Sequence, residues 1–164
     1  MRIISGNFRG RKLIKFNKEG IKPTTDKMRE SIFNIVISYL KVNEKNNNVP
    51  LKNFTVLDIF AGTGALGIEA ISRGAEKVTF IEKSRDNLNV LYKNIDLLKI
   101  SEKVKIIKRS IRKVKKINGE FDLIFMDPPY QMDLIIKKTL EKILDFKIIK
   151  KEKIIVIKFA KKKK

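Results

Sequence analysis

The sequence predicts an α/β protein: a doubly wound parallel sheet preceded by a basic β-hairpin. Three observations carry that prediction. From residue 54 onward, short apolar runs alternate with stretches of helical period. Those runs are near-continuously apolar, as strands covered on both faces are. Before residue 17, apolar residues instead cluster on either side of Gly6-Asn7-Phe8-Arg9-Gly10, a glycine-bounded turn.

The hairpin arms are residues 2–5 and 11–16. Arg2, Arg9, Arg11, Lys12 and Lys15 make the hairpin basic, which suits either a solvated edge or contact with phosphates. Pro23 and Thr24-Thr25 open a helix, with Met28, Ile32, Ile35, Val36, Tyr39 and Leu40 expected on its buried face. Residues 41–53 are polar, include Asn46-Asn47-Asn48 and Pro50, and read as a loop. Strands are then expected at 56–60, 78–82, 104–107, 121–126 and 154–157. A helix over 65–73 follows the first strand and stops at Gly74. Ser84 caps a second helix, with Leu88, Leu91, Tyr92, Ile95 and Leu98 expected inside. A third covers 134–144. No repeat is present, and Lys161–Lys164 is the sole low-complexity tract. The expected division is a hairpin arm over 1–22 and one globular unit over 23–164.

Composition narrows the chemistry. A chain of 164 residues with 43% hydrophobic content supports one domain with a real core. No apolar run reaches the ~20 residues that cross a bilayer, and the N-terminus lacks the pattern of a signal peptide. A cytoplasmic monomer with no membrane partner is therefore expected. Lys and Arg number 38 against 18 acids, a net charge of +20 that favours a nucleic-acid partner. The Lys, Ile and Asn richness of AT-rich coding is the bland alternative. Cysteine and histidine are both absent, which removes thiol nucleophiles, imidazole bases and the usual zinc sites. No metal site is expected. Carboxylates, backbone groups, amines, hydroxyls or a cofactor must do the work.

Two motifs carry chemistry. The fourth strand ends in Asp127-Pro128-Pro129-Tyr130, a clamp for the exocyclic amine of a nucleobase. Asp127 and the Pro128 carbonyl can accept the two amine hydrogens, the prolines offer no competing N–H, and Tyr130 offers a ring for stacking. The bland alternative is an ordinary strand end with a Pro-Pro loop. The first strand runs into Asp58-Ile59-Phe60-Ala61-Gly62-Thr63-Gly64-Ala65-Leu66-Gly67. Small residues there admit a ligand to the backbone, before a helix N-terminus. Glu82 closes the second strand, where a carboxylate can bind ribose hydroxyls. The glycine spacing also fits the dinucleotide fingerprint. Asp58 argues against NAD, because an acid there suits the amino group of an amino-acid end, which S-adenosylmethionine has and NAD lacks. Loop N–H groups are the alternative partners for Asp58, and solvent for Glu82. In a sheet ordered 3-2-1-4-5, strands 1 and 4 are neighbours, so the two motifs would adjoin.

These residues resemble the RsmD-type methyltransferases, which methylate the N2 amine of a guanine in small-subunit (16S) ribosomal RNA. The resemblance lies in Asp58 to Ala70, Ser72-Arg73-Gly74-Ala75, Phe121 to Tyr130, Ile3 to Leu13, and Lys22 to Asn34. It covers residues 2 to about 158. It implies a Rossmann-like class I methyltransferase fold. S-adenosylmethionine would be bound by Asp58, Phe60, Gly62, Gly64 and Glu82, with help from Thr25 and Arg29 at the Pro-Thr-Thr-Asp helix start. Asp127, Pro128 and Tyr130 would meet the target base. Ser110 stands near the place of an acid that often meets the adenine. Arg9, Arg11, Lys12 and Lys22 would touch RNA, Lys22 replacing a usual arginine and losing its fork. Ribosomal RNA, the small subunit or an assembly intermediate would be the partner. Relatives usually continue into two more strands, often with an acid where Lys158 stands. The expectation is a shortened member, as a frameshift in an A-rich gene would give, with strand 5 an exposed edge that the lysine tail partly blunts.

The absence of cysteine also excludes the covalent route commonly used for pyrimidine carbon-5 methylation. Transfer to an exocyclic amine needs no such nucleophile. An adenine-N6 methyltransferase, a non-catalytic RNA-binding protein and an NAD enzyme are the rival readings.

Overall fold

In the computed structural model, residues 1–16, 24–40, 49–128 and 133–158 are described. Five strands form one sheet: β1 (Thr55–Ile59), β2 (Lys77–Ile81), β3 (Val104–Ile107), β4 (Phe121–Met126) and β5 (Ile149–Ile157). Their order is β3-β2-β1-β4-β5, and every pairing is parallel. The expected order thus stands, and β5 pairs with β4 alone among the described residues. Helices α1 (Asp26–Tyr39), α2 (Ala65–Ser72), α3 (Arg85–Leu98) and α4 (Asp133–Asp145) flank the sheet. Two short 3-10 turns, Ser101–Lys103 and Ile111–Lys113, were not anticipated.

The pleat sorts strand residues into two cores. Val56, Val78, Phe80, Leu123 and Phe125 face one, with Phe33 and Val36 of α1, Leu66 and Ile68 of α2, and Leu91 and Ile95 of α3. Leu57, Ile59, Ile81, Ile124 and Met126 face the other, under Ile111, Val114 and Ile117 and the Ile136 and Ile143 of α4. Both faces of β1 and β4 are therefore covered, which fixes the ends of these strands rigidly.

Three expectations need correction. On α1 the buried residues are Arg29, Phe33 and Val36, whereas Met28, Ile35 and Tyr39 are exposed. A buried arginine sits on the inner face, so an apolar count places that face wrongly. On α3 the inner position expected for Tyr92 goes to Asn94, which is fully buried. Tyr92 lies outward beneath the Lys108 ammonium, 4.9 Å from its ring centroid. Strand β5 starts at Ile149 rather than 154. Its charged start, Lys150-Lys151-Glu152-Lys153, hides it from an apolar scan, and its pairing with β4 shifts register between Phe121 and Leu123.

The N-terminal arms pair antiparallel through an Arg2–Lys12 bridge. They are docked on the sheet's helices, and Ile3 and Leu13 belong to the first core. Glu69 of α2 accepts the N–H groups of Ile4 at 2.9 Å and Ser5 at 3.0 Å. Ser72 Oγ accepts the Phe8 N–H at 3.0 Å and donates to the Ser5 carbonyl at 2.6 Å. Gly6 is required here: a Cβ at this position would lie 1.8 Å from the Ser72 carbonyl oxygen.

Candidate active site

Strand β1 delivers Asp58 into the core and then turns sharply. Phe60 (φ +64°) and Gly62 (φ +56°) take left-handed conformations, so the chain reverses before α2 begins. The N–H groups of Phe60 and Ala61 both donate to the Ile81 carbonyl, at 3.0 and 3.2 Å. No heavy atom lies within 4 Å of the place a Gly62 Cβ would take, so this backbone is open to a ligand. Gly67 has the opposite surroundings: its Cβ would meet the Phe80 ring at 2.3 Å. The last glycine of the motif lets α2 pack tightly against β2.

Two buried carboxylates hold this loop. Asp58, 1% exposed, accepts the Gly67 N–H at 2.9 Å through Oδ2. Burial pushes its carboxyl up to about 8; the Gly67 hydrogen bond opposes the shift, and the charges of Asp127 and Glu82 add to it. Glu82 is no solvated strand end. Its Oε2 accepts the Gly62 N–H at 2.8 Å, and Oε1 accepts those of Lys83 and Ser84 at 2.7 Å each. A carboxylate offers about four acceptor positions. Three are taken, so a ribose would find room for one hydroxyl bond without disturbing the loop.

The end of β4 lies alongside. The Asp127 N–H points at the Ile59 carbonyl, 3.4 Å away, so the amine clamp and the glycine loop leave neighbouring strands at the same sheet end. Asp127 and Pro128 are both partly exposed. One oxygen of Asp127, Oδ2, accepts from the Thr24 hydroxyl at 2.7 Å and the Lys158 ammonium at 2.9 Å. Pro129 and Tyr130 lie outside the described residues, as does Lys22.

The other expected residues fall in distinct places. Thr25 caps α1, its hydroxyl oxygen accepting the Met28 N–H at 3.2 Å. Arg29 is fully buried. Its guanidinium donates to the Thr24 carbonyl at 3.1 Å, the Asp26 carboxylate at 3.0 Å and the Arg2 carbonyl, while its Nε has no partner among the described residues. Arg29 thus ties the hairpin to the start of α1, next to Thr24. Ser110 is half-buried and precedes the second 3-10 turn, where its carbonyl accepts the Lys113 N–H at 2.8 Å. Arg9, Arg11 and Lys12 are exposed on the hairpin, Arg11 over the Phe8 ring at 5.6 Å.

Sequence reasoning gave no site role to two contributors, although it marked Lys158 as standing where relatives often carry an acid. Lys158 is the first polar residue after the apolar end of β5, and the expected strand order already placed that end beside Asp127. Asn94 gave no signal beyond a polar residue in a helical pattern. It accepts the Ile14 N–H at 2.8 Å and donates to the carbonyls of Ile14 and Thr63, both at 3.2 Å. It therefore joins the hairpin to the glycine loop. Among the described residues no group of three or more Asp or Glu could hold a metal ion, and no helix is long and apolar enough to cross a membrane.

A family model described as conserved hypothetical protein 95 matches residues 1–164. Ribosomal RNA small subunit methyltransferase D of Haemophilus influenzae is 41% identical over 138 residues, which cover 82% of this chain and 66% of that protein. The same-named protein of Buchnera aphidicola subsp. Acyrthosiphon pisum is 40% identical over 161 residues, covering 98% of this chain and 78% of its own. The chain thus spans about two thirds to four fifths of these relatives' length. Among solved structures, yhhF of Escherichia coli, a candidate methyltransferase, matches with a TM-score of 0.80 at 31% identity, over 99% of this chain and 82% of that one. HI0767 of Haemophilus influenzae, a candidate methylase, gives 0.73 at 32% identity, over 99% and 83%.

Proposed function

The chain belongs to the conserved hypothetical protein 95 family, the RsmD-type methyltransferases, and from that membership we propose that it methylates the exocyclic N2 amine of a guanine in small-subunit ribosomal RNA. S-adenosylmethionine is the proposed donor, and ribosomal RNA, free or in a small-subunit particle, is the proposed partner. One observation carries the reaction type. An open glycine backbone and the partly exposed residues Asp127 and Pro128 leave adjoining strands at one end of the sheet. Ligands of such sheets bind outside that end.

The residues fit the cofactor. Gly62 is open on its Cβ side, Asp58 is a buried acid suited to an ammonium, and Glu82 keeps acceptor capacity for a hydroxyl. When bound, the donor supplies an electrophilic methyl on a sulfonium, so the protein needs no nucleophile of its own. Asp127 then accepts one amine hydrogen and the Pro128 carbonyl accepts the other. Both bonds favour a pyramidal nitrogen whose lone pair is free to attack, and Asp127 would take the proton the nitrogen sheds. A base inside a duplex cannot enter this clamp, so the target is a looped or extruded guanine.

The decisive measurement is mass spectrometry of ribosomal RNA from cells with and without the gene. Loss of one N2-methylguanine from the small-subunit RNA is the expected result. Loss of an N6-methyladenine would move the reading to adenine, and an unchanged nucleoside profile would remove the proposed activity.

A further inference from the structure

Lys158 is the first residue after β5, and nothing in the amine-clamp chemistry requires it. Its backbone N–H donates to the Met126 carbonyl at 3.0 Å, which places it level with the end of β4. From there its ammonium donates to Asp127 Oδ2 and to Thr24 Oγ1, both at 2.9 Å. The Thr24 hydroxyl in turn donates to the same Asp127 oxygen at 2.7 Å. Three side chains from distant parts of the sequence therefore close a triangle around one carboxylate oxygen. The Lys158–Asp127 pair is neither fully exposed nor buried, at 26% and 22% side-chain exposure. It is thus screened less than a surface pair and spared the full cost of burial.

We infer that Lys158 is a positioning residue for the target base. Together with Thr24 it holds Oδ2 of Asp127, which fixes the carboxylate plane and leaves Oδ1 as the atom that meets the amine. A free carboxylate on a loop beyond a strand end would rotate, and the amine hydrogen bond would form in a fraction of encounters only. Two donors on one oxygen remove that freedom before the base arrives, which is the contribution preorganisation makes to rate. The inference rests on the methyl-transfer reading for its effect on turnover, but the contact itself can be tested without it.

The test uses the full chain with Lys158→Met, Lys158→Arg and Thr24→Val. With small-subunit RNA as substrate, Lys158→Met is expected to lower kcat about 10- to 100-fold while cofactor affinity and thermal midpoint stay near wild type. Lys158→Arg should recover much of the loss, because it restores a cationic donor. Thr24→Val should lower kcat in the same direction, and the double variant should lose less than the product of the two singles, as members of one network do. In parallel, the Asp127 13Cγ resonance should move in both Lys158→Met and Thr24→Val. A kcat for Lys158→Met within about twofold of an active wild type would overturn the inference. A wild type that transfers no methyl would instead count against the proposed function. The carbon resonance would then decide alone, and its staying put in both variants would overturn the positioning role.

Discussion

Asp58, next to last in β1, and Asp127, the first residue after β4, belong to neighbouring strands but sit in different surroundings. Asp58 is 1% exposed and has one N–H donor, and its carboxyl is pushed up to about 8. A raised acid favours the protonated fold, so the ligand-free protein should lose stability as pH rises from the ordinary 3.8 through about 8. An ammonium beside it would reverse the shift. Cofactor binding below pH 8 should therefore release about one proton, with affinity rising up to ~10-fold per pH unit toward that value. Calorimetry at pH 6.5 in buffers of different ionisation enthalpy measures that proton directly. Asp58→Asn should abolish it and weaken cofactor binding; an unchanged affinity in that variant would exclude Asp58 from the cofactor site. Asp127 is partly exposed and already holds two donors. Asp127→Ala should keep cofactor affinity and cut methyl transfer at least ~100-fold. A variant that still methylates at wild-type rate would refute the clamp.

At the scale of elements, the helix α2 does more than lead away from the glycine loop. Its Glu69 is buried, accepts two N–H groups of the hairpin, and pairs with the buried Arg73 at 2.9 Å. Arg73 also lies over Phe33 of α1, 4.7 Å from its ring centroid. Glu69→Ala would leave a buried guanidinium without its carboxylate and two hairpin N–H groups without acceptors. The expected loss is about 3–5 kcal/mol in urea unfolding, with hydrogen exchange accelerated first in residues 1–16. A loss below ~1 kcal/mol would mean that the hairpin docks by its apolar residues alone. The strand order, the glycine turn and the end of β4 were legible because buried parallel strands leave continuous apolar runs and the chemistry sits where they stop. Four of the five residues expected inside on α3 are buried, and so is Val36 of α1; Tyr92 on α3 and Met28, Ile35 and Tyr39 on α1 were misread, because Arg29 and Asn94, both fully buried, hold inner places through hydrogen bonds to chain segments distant in sequence. Lys158 was marked only as a departure from its relatives for the same reason: its role depends on Thr24 and Asp127, 134 and 31 residues away.

For the whole molecule, the question is whether a charge of +20 is a binding surface or a by-product of composition. The hairpin distinguishes the two. It holds Arg9, Arg11 and Lys12 in solvent on a docked, hydrogen-bonded scaffold rather than on a loose tail. Its second arm includes Ile14, which Asn94 ties to Thr63 in the glycine loop. RNA held on the hairpin would therefore be held by a body continuous with the proposed cofactor site. Each phosphate neutralised releases counterions, and on single-stranded RNA each contact contributes about 0.7 to the slope of log affinity against log salt. Replacing Arg9, Arg11 and Lys12 together by alanine should reduce that slope by about 2 if each meets a phosphate. Cofactor affinity and thermal stability should stay near wild type, since all three side chains lie outside both cores. If the charge is compositional, binding is spread over the whole surface and the triple variant should leave the slope almost unaltered. Binding titrations of a small-subunit RNA fragment across a series of salt concentrations, wild type beside variant, give the two slopes and decide between a built RNA surface and a merely basic protein.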